Sequence, residues 1–379
     1  MADTRKTKIA GKIVFLWLIL FPFGQLINIG RFHPIDLVAW LGMLFIFEKK
    51  PDIFKYLKNF ILLALFSLVI SLSFLNLSEI EIGLLYFLRF LSYILFFIMI
   101  WNFVKVDVKI KDKIFYSLIF VSVATAIFGW AQYIFLPDLR DLKYLGWDDH
   151  YFRLVGTFLD PGFTGIILVF GFLLALTKFV YKKRPGIFFL LIFLMLTIAF
   201  TYSRASYLAL FAGIFTISFL KKTFKVSIFL TTFFLLLVLL LPRPSGSGVQ
   251  LERTYSIKSR FVNYSETLSI FKKSPIFGAG FNNICVSRQK LLGVGDFGSH
   301  SCSGSDSSLL LVLATTGIIG FVVFIHAIYK ILRSINKDIY GMAFYSSFVA
   351  LAVHSLFVNS IFYPWIMGWM GLLTAIALK

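Results

Sequence analysis

A chain of 379 residues that is 59% hydrophobic, 18% aromatic and only 15% charged has too little polar surface to stay dispersed in water as a globule. That excludes a soluble enzyme, a disordered tail and a disulfide-dense scaffold. Lys and Arg number 37 against 18 Asp and Glu, a net charge of +19, which points either to nucleic acid or to the basic inner loops of a membrane protein.

Taken in chain order, apolar windows of about 20 residues predict roughly twelve spans. They lie at 13–30, 34–48, 60–77, 83–103, 114–135, 163–180, 187–201, 207–220, 226–241, 309–329, 339–358 and 361–378. Several are short, as tilted or broken helices would be. The first is too long for a cleaved signal peptide. Basic residues then gather in alternate connections, around residues 5–12, 49–58, 105–113, 178–184, 221–225, 330–337 and at Lys379. Those connections carry +17 and the opposite side only +2. Both termini are therefore expected in the cytoplasm, and the charge is an orientation signal that does not require nucleic acid. The expectation is one all-α transmembrane domain over 1–379, without internal repeats.

Two outer connections are long, 136–162 and 242–308. Loops beyond about 12–15 residues are usually functional or disordered. The inner ones are short, so chemistry is expected outside. The first long loop carries Asp148, Asp149 and His150, which read either as a cation site or, more simply, as a solvated tip; no metal or cofactor is assigned. It also carries Arg153. Arg204 follows at a tight outer turn between two spans.

In the second loop, Ile257, Phe261, Tyr264, Leu268 and Phe271 recur at spacings of 4, 3, 4 and 3. That predicts an amphipathic helix over 256–273, stopped by Pro275, with Arg260 on the edge of its apolar stripe. It can lie on the membrane with Arg260 at a headgroup, or pack as an ordinary loop helix. Arg288 lies further along. An outer arginine can simply snorkel to lipid phosphate. Four together, Arg153, Arg204, Arg260 and Arg288, suit a phosphate site, because guanidinium forks bind phosphate oxygens bidentately.

Cys285 and Cys302 are both in this loop, where an oxidising compartment would allow a disulfide. His300 and Asp306 precede the next span. Either can take a proton from a sugar hydroxyl. His300 reads more simply as a structural or solvated histidine, and Asp306 equally as the N-cap of the span. Arg89 lies within a span, where a charge needs a partner, and Asp36 is the candidate.

The ordered set RLVGTFLDPG, TYSRASYLAL, SRFVNYSETLSIFKKSPIFGAGFNN and DSSLLLVLATTGIIGF resembles the O-antigen ligase/polymerase superfamily of bacterial envelope glycosyltransferases. The resemblance covers roughly residues 150–330. It implies a GT-C-like bundle with a large, partly helical periplasmic loop over a lateral cavity, in the bacterial inner membrane. It further implies an undecaprenyl-pyrophosphate-linked glycan donor, held by arginines at the positions of Arg204 and Arg260, and metal-independent transfer. Ligases commonly carry His-Asn where this chain has Asp306-Ser307, and Trp is frequent where Tyr264 stands.

The chain therefore resembles the repeat-unit polymerases, which join one lipid-linked oligosaccharide to the sugar hydroxyl of another. Membrane lipids and a chain-length regulator are the further partners expected. Two other readings stay open: a ligase moving glycan onto lipid A-core, and a lipid-glycan flippase. Transporters place charge near the midplane in repeated halves; here most outer charges cluster at the membrane edge.

Overall fold

The computed structural model describes all residues except 1, 44–49, 107, 245, 295–301 and 303. Among the described residues there are fourteen α-helices and no strand. In order they are α1 (Ala2–Leu20), α2 (Pro34–Met43), α3 (Phe54–Ser71), α4 (Leu77–Val106), α5 (Lys109–Phe135), α6 (Pro161–Tyr181) and α7 (Pro185–Phe200). Then follow α8 (Arg204–Lys221), α9 (Phe224–Leu239), α10 (Tyr255–Lys273), α11 (Ile284–Leu292), α12 (Ser308–Arg333), α13 (Ile339–His354) and α14 (Pro364–Ala377).

A helix overlaps every apolar window, and α10 occupies the amphipathic stretch of the second long loop. α11 has no counterpart among the expectations. Among the described residues six helices, α3, α4, α5, α6, α8 and α12, are each long and apolar enough to cross a membrane. The apolar helices α7, α9, α13 and α14 are shorter.

α6 is the centre of the bundle, with Ile166–Phe170 and Phe172–Leu176 almost wholly buried. It packs against α5, α7, α8 and α13. In an apolar solvent helices associate by close fit, and small residues let backbones approach. Gly165 shows this: a Cβ there would lie 2.2 Å from Ser206 Oγ of α8. Arg89 of α4 and Asp36 of α2 form a buried ion pair at 3.0 Å. The Asp36 carboxylate also accepts from the His33 amide and from Tyr93 Oη.

The window at 309–329 is not one continuous helix. α12 breaks at Gly317, whose φ of 68° and ψ of −174° are far from helical. The segment 274–280, directly after α10, enters this break. Ile318 N–H donates to the Pro275 carbonyl at 2.9 Å, and Ala279 and Gly280 N–H donate to the Ala314 and Thr315 carbonyls at 2.9 and 3.1 Å. The inserted turn thus satisfies backbone groups that the break would leave unpaired in an apolar medium. It also anchors α11 at the end of the bundle where α2, α4, α6, α8, α12 and α14 begin.

Candidate functional site

At that end the loops must pair their backbone carbonyls without much help from water. Arginines supply the donors. Arg153 Nε and Nη2 donate to the carbonyls of Thr201 and Tyr202, each at 3.2 Å. Arg204 Nη1 donates to the Leu251 and Arg253 carbonyls at 3.0 and 3.1 Å, and its Nη2 to Ser256 Oγ at 2.6 Å. Arg253 Nη1 donates to the Gly248 and Gln250 carbonyls at 2.8 Å, and its Nη2 to that of Tyr202 at 3.4 Å. Tyr202, at φ 49°, is the strained corner of the tight α7–α8 turn that Arg153 and Arg253 brace.

Arg260 differs. It is half-buried on α10 and forms no hydrogen bond or ion pair with a described residue. Its charge acts on Arg253 on one side and on Asp306 on the other. Burial brings Arg153 and Arg253 down to about 10, helped by the charge of Arg253 on Arg153 and by those of Arg204 and Arg260 on Arg253, so both stay charged at neutral pH. Arg153, Arg204 and Arg260 are thus gathered into one cationic group, and Arg253 joins them. Arg288, on α11, stands apart on the other side of Asp306. It is ion-paired to Glu266 of α10 at 3.4 Å and donates to the Cys302 carbonyl at 3.2 Å. Cys302 is disulfide-bonded to Cys285.

One face of α10 places Asp306. Asn263 Oδ1 accepts from the Asp306 amide at 2.9 Å, and Thr267 Oγ1 meets Ser305 Oγ at 3.1 Å. Arg260, Asn263 and Thr267 follow at helical spacing, so this face carries both the free guanidinium and the contacts that hold Asp306. The N-cap of α12 is Ser307, which accepts from the Leu310 amide. This corrects the capping alternative for Asp306. The Asp306 carboxylate forms no hydrogen bond or ion pair with a described residue. Burial raises its pKa, Asp148 and Asp160 add to the rise, and Arg260 and Arg288 oppose it. His300 lies outside the described residues.

Beside Asp306, Asp160 caps α6, accepting from the Gly162 and Phe163 amides at 2.7 and 2.8 Å. His150 is 5% exposed and neither ring nitrogen has a partner. Burial, Arg153 and Arg253 push its pKa down to about 3, so it is neutral at physiological pH. Asp148 and Asp149 are exposed, and among the described residues no three His, Cys, Asp or Glu gather as a metal site.

A cavity of about 560 Å³ adjoins this group. Asp306, Asp160, Asp148 and His150 line it, together with both cysteines of the disulfide and the aromatic residues Tyr86, Trp147, Phe163 and Tyr363. Phe163 and Tyr363 stack at 3.9 Å. None of the four arginines expected to bind phosphate lines the cavity; Arg31 and Arg89 do. Acids therefore stand between an arginine cluster and a chamber walled by aromatic and amide groups.

Fold and site together define a multi-pass, all-helical membrane protein with a cation-flanked acidic chamber at one end of its bundle. Residues 187–325 match the O-antigen ligase family. That stretch runs from α7 into α12 and includes Arg204, Arg253, Arg260, Arg288 and Asp306; Arg153, His150 and Asp160 precede it. No curated protein matches the chain.

Arg253 and Asp160 are absent from the sequence expectations for binding or catalysis, and His150 entered them only as part of a cation site or a solvated tip. Arg253 carries the signal that singled out the other arginines, an outer charge that topology does not require. Asp160 sits in an Asp-Pro-Gly helix start. His150 has no local signal beyond its acidic neighbours, because only tertiary burial makes it neutral.

Proposed function

We propose that this chain is a polysaccharide polymerase that transfers an undecaprenyl-pyrophosphate-linked glycan onto a sugar hydroxyl of a second lipid-linked repeat unit. In this reading the bundle crosses the inner membrane about twelve times in a GT-C-like arrangement. The termini are cytoplasmic and the chamber faces the periplasm. The observation that carries it is the convergence of Arg153, Arg204, Arg253 and Arg260 beside the carboxylate of Asp306, which is unpaired among the described residues.

The chemistry follows from that juxtaposition. The acceptor hydroxyl oxygen bonds to the donor's anomeric carbon as the bond from that carbon to the pyrophosphate oxygen breaks. The hydroxyl proton passes to the Asp306 carboxylate, whose raised pKa suits a base. Undecaprenyl pyrophosphate departs, and its developing charge is met by guanidinium groups already fixed in place. Arg260 is the diagnostic member, because its donors are uncommitted among the described residues whereas those of the other three also hold loops.

The family match by its own description favours a second reading, a ligase that moves finished glycan onto lipid A-core. Purified protein in nanodiscs, supplied with lipid-linked repeat units, tests both. Longer glycans formed without another protein are expected. Transfer only to lipid A-core would make the protein a ligase, and redistribution across a bilayer without new bonds would make it a flippase. Arg260→Ala should cut turnover by about 10²–10³, as loss of one oxyanion donor does. In cells, normal chain-length ladders in that variant would sink the assignment. A chain-length regulator is the partner expected to act on ladder length.

A further inference from the structure

The turn between the inserted segment and α11 carries two asparagines that the proposed transfer step does not use. Asn282 is 4% exposed and Asn283 1% exposed, and both line the chamber. Among the described residues Asn282 Oδ1 and both side-chain polar atoms of Asn283 lack a hydrogen-bond partner. A buried carboxamide left unpaired is costly and calls for a reason. Asn283 even occupies the N-cap position of α11, where its side chain would ordinarily accept from the first turn, yet it makes no such bond. Asn282 sits at φ 53°.

The pair is held by its surroundings. The Asn283 amide donates to the Gly280 carbonyl at 3.0 Å. Gly83 of α4 admits the turn: a Cβ there would lie 2.9 Å from the Phe281 carbonyl oxygen and 3.2 Å from Asn283 Cβ. The backbone is therefore locked, and both residues lie in the chamber wall with carboxamides that make no hydrogen bond to a described residue, so that a side-chain rotation suffices to present them to a ligand.

A carboxamide offers a donor and an acceptor side by side, which matches vicinal hydroxyls or an acetamido group. It does not select an anion. The nearby charges argue against one as well: Asp148, Asp160 and Asp306 line the same chamber and outnumber its cations, of which Arg89 is already paired with Asp36 and Arg31 remains. The donor's phosphates belong to the arginines outside the chamber, which leaves the amide wall to the other substrate. We propose that Asn282 and Asn283 form a subsite for an uncharged sugar residue of the acceptor glycan and so help to select the unit that is extended. The acceptor assignment rests on the transferase reading above; sugar binding at this wall does not.

The test uses the full-length protein in nanodiscs and saturation-transfer NMR with the methyl glycosides of N-acetylglucosamine, glucose and glucuronic acid. Saturation is expected on at least one neutral glycoside and not on the glucuronide. It should fall about tenfold, the equivalent of roughly one hydrogen bond, in Asn283→Ser and in Asn282→Gly, where glycine keeps the positive φ. Thermal unfolding at the wild-type temperature verifies that each variant is folded.

With lipid-linked repeat units, Asn283→Ser should raise KM for the acceptor while kcat changes little, a split that a general structural defect would not give. Wild-type saturation and KM in both folded variants, preference for the glucuronide, or no binding of either neutral glycoside would overturn the proposal. Absence of glycan elongation by the wild type, with glycoside binding intact and lost in the variants, would defeat the polymerase reading and leave the subsite standing.

Discussion

Asp306 precedes Ser-Ser and an apolar run, the setting of an ordinary helix cap, yet Ser307 takes that role and Asn263 holds the Asp306 amide. The carboxylate is thereby left for a proton. Its native pKa is raised above the unfolded value. Activity that needs the ionised form should therefore fall as pH drops through that raised value, with the acidic limb above the ordinary carboxylate range. Asp306→Asn should remove base catalysis, a loss on the order of 10²–10⁴.

Stability responds in the opposite sense. A raised carboxyl pKa stabilises the fold below the unfolded pKa, and that contribution is lost as pH rises through the native value. Asp306→Asn should thus unfold at a higher temperature than wild type at neutral pH, with the gap closing below about pH 4. Equal melting of the two proteins across that range would contradict a raised pKa.

The arginines separate by a similar comparison. Arg204→Ala removes three hydrogen bonds to the second long loop, two of them to its backbone. It should lower thermal stability as well as turnover. Arg260→Ala breaks no hydrogen bond to a described residue and should leave stability within about 0.5 kcal/mol. Arg260→Lys should remain impaired, since a point charge does not replace a planar fork. Full activity with lysine would exclude bidentate phosphate binding.

Among the elements, α12 and the segment inserted in its break carry the most structural information. A Cβ at Gly317 would lie 2.2 Å from the Ile276 carbonyl oxygen, and one at Gly278 would lie 2.3 Å from the Thr315 carbonyl carbon, both glycines having positive φ. Gly317→Ala and Gly278→Ala should each cost at least about 1–3 kcal/mol in unfolding experiments in detergent. They should also loosen the α11 turn. Loss of the Cys285–Cys302 bond, by Cys285→Ser or reduction, should cost roughly 2–4 kcal/mol.

α10 shows how far periodicity reaches. The 4-3-4-3 spacing located it to within a residue at its start and at its end. It did not identify the packed face. Thr267 and Ile270 are the buried residues, while Ile257, Phe261 and Leu268 are exposed. Beside a bilayer, apolar residues are equally suited to lipid and to protein, so an apolar stripe does not by itself mark the core side. The break in α12 was hidden for a related reason: Thr-Thr-Gly lies within an unbroken apolar run, and the hydropathy of that run is unaffected by one residue's φ.

At the scale of the whole molecule, charge is divided between the two ends. The arginine cluster and chamber lie at one end, while Lys8, Lys12 and Lys113 surround a second cleft formed by α1, α4 and α5. Beside the chamber, Asp36 and Arg89 tie α2 to α4. Arg89→Met alone should destabilise the fold by about 3–5 kcal/mol, because it strands a buried carboxylate. The double change with Asp36→Leu should recover most of the loss. A double variant no more stable than the single would show that the pair does more than neutralise charge.

The sequence by itself determined the helical windows, the basic alternate connections, the apolar chain that must meet lipid, and the few arginines standing where topology needs none. These are local properties, set by apolar run length and by charge along the chain. Only the tertiary structure decided that Arg153, Arg204, Arg253 and Arg260 converge while Arg288 turns to Glu266. It alone made His150 neutral and, among the described residues, left the Asp306 carboxylate without a partner and Asn282 and Asn283 unpaired in the chamber wall. Each of those depends on segments distant in the chain being packed together. Packing, not residue type, sets which donors find a carbonyl and which are left facing the chamber.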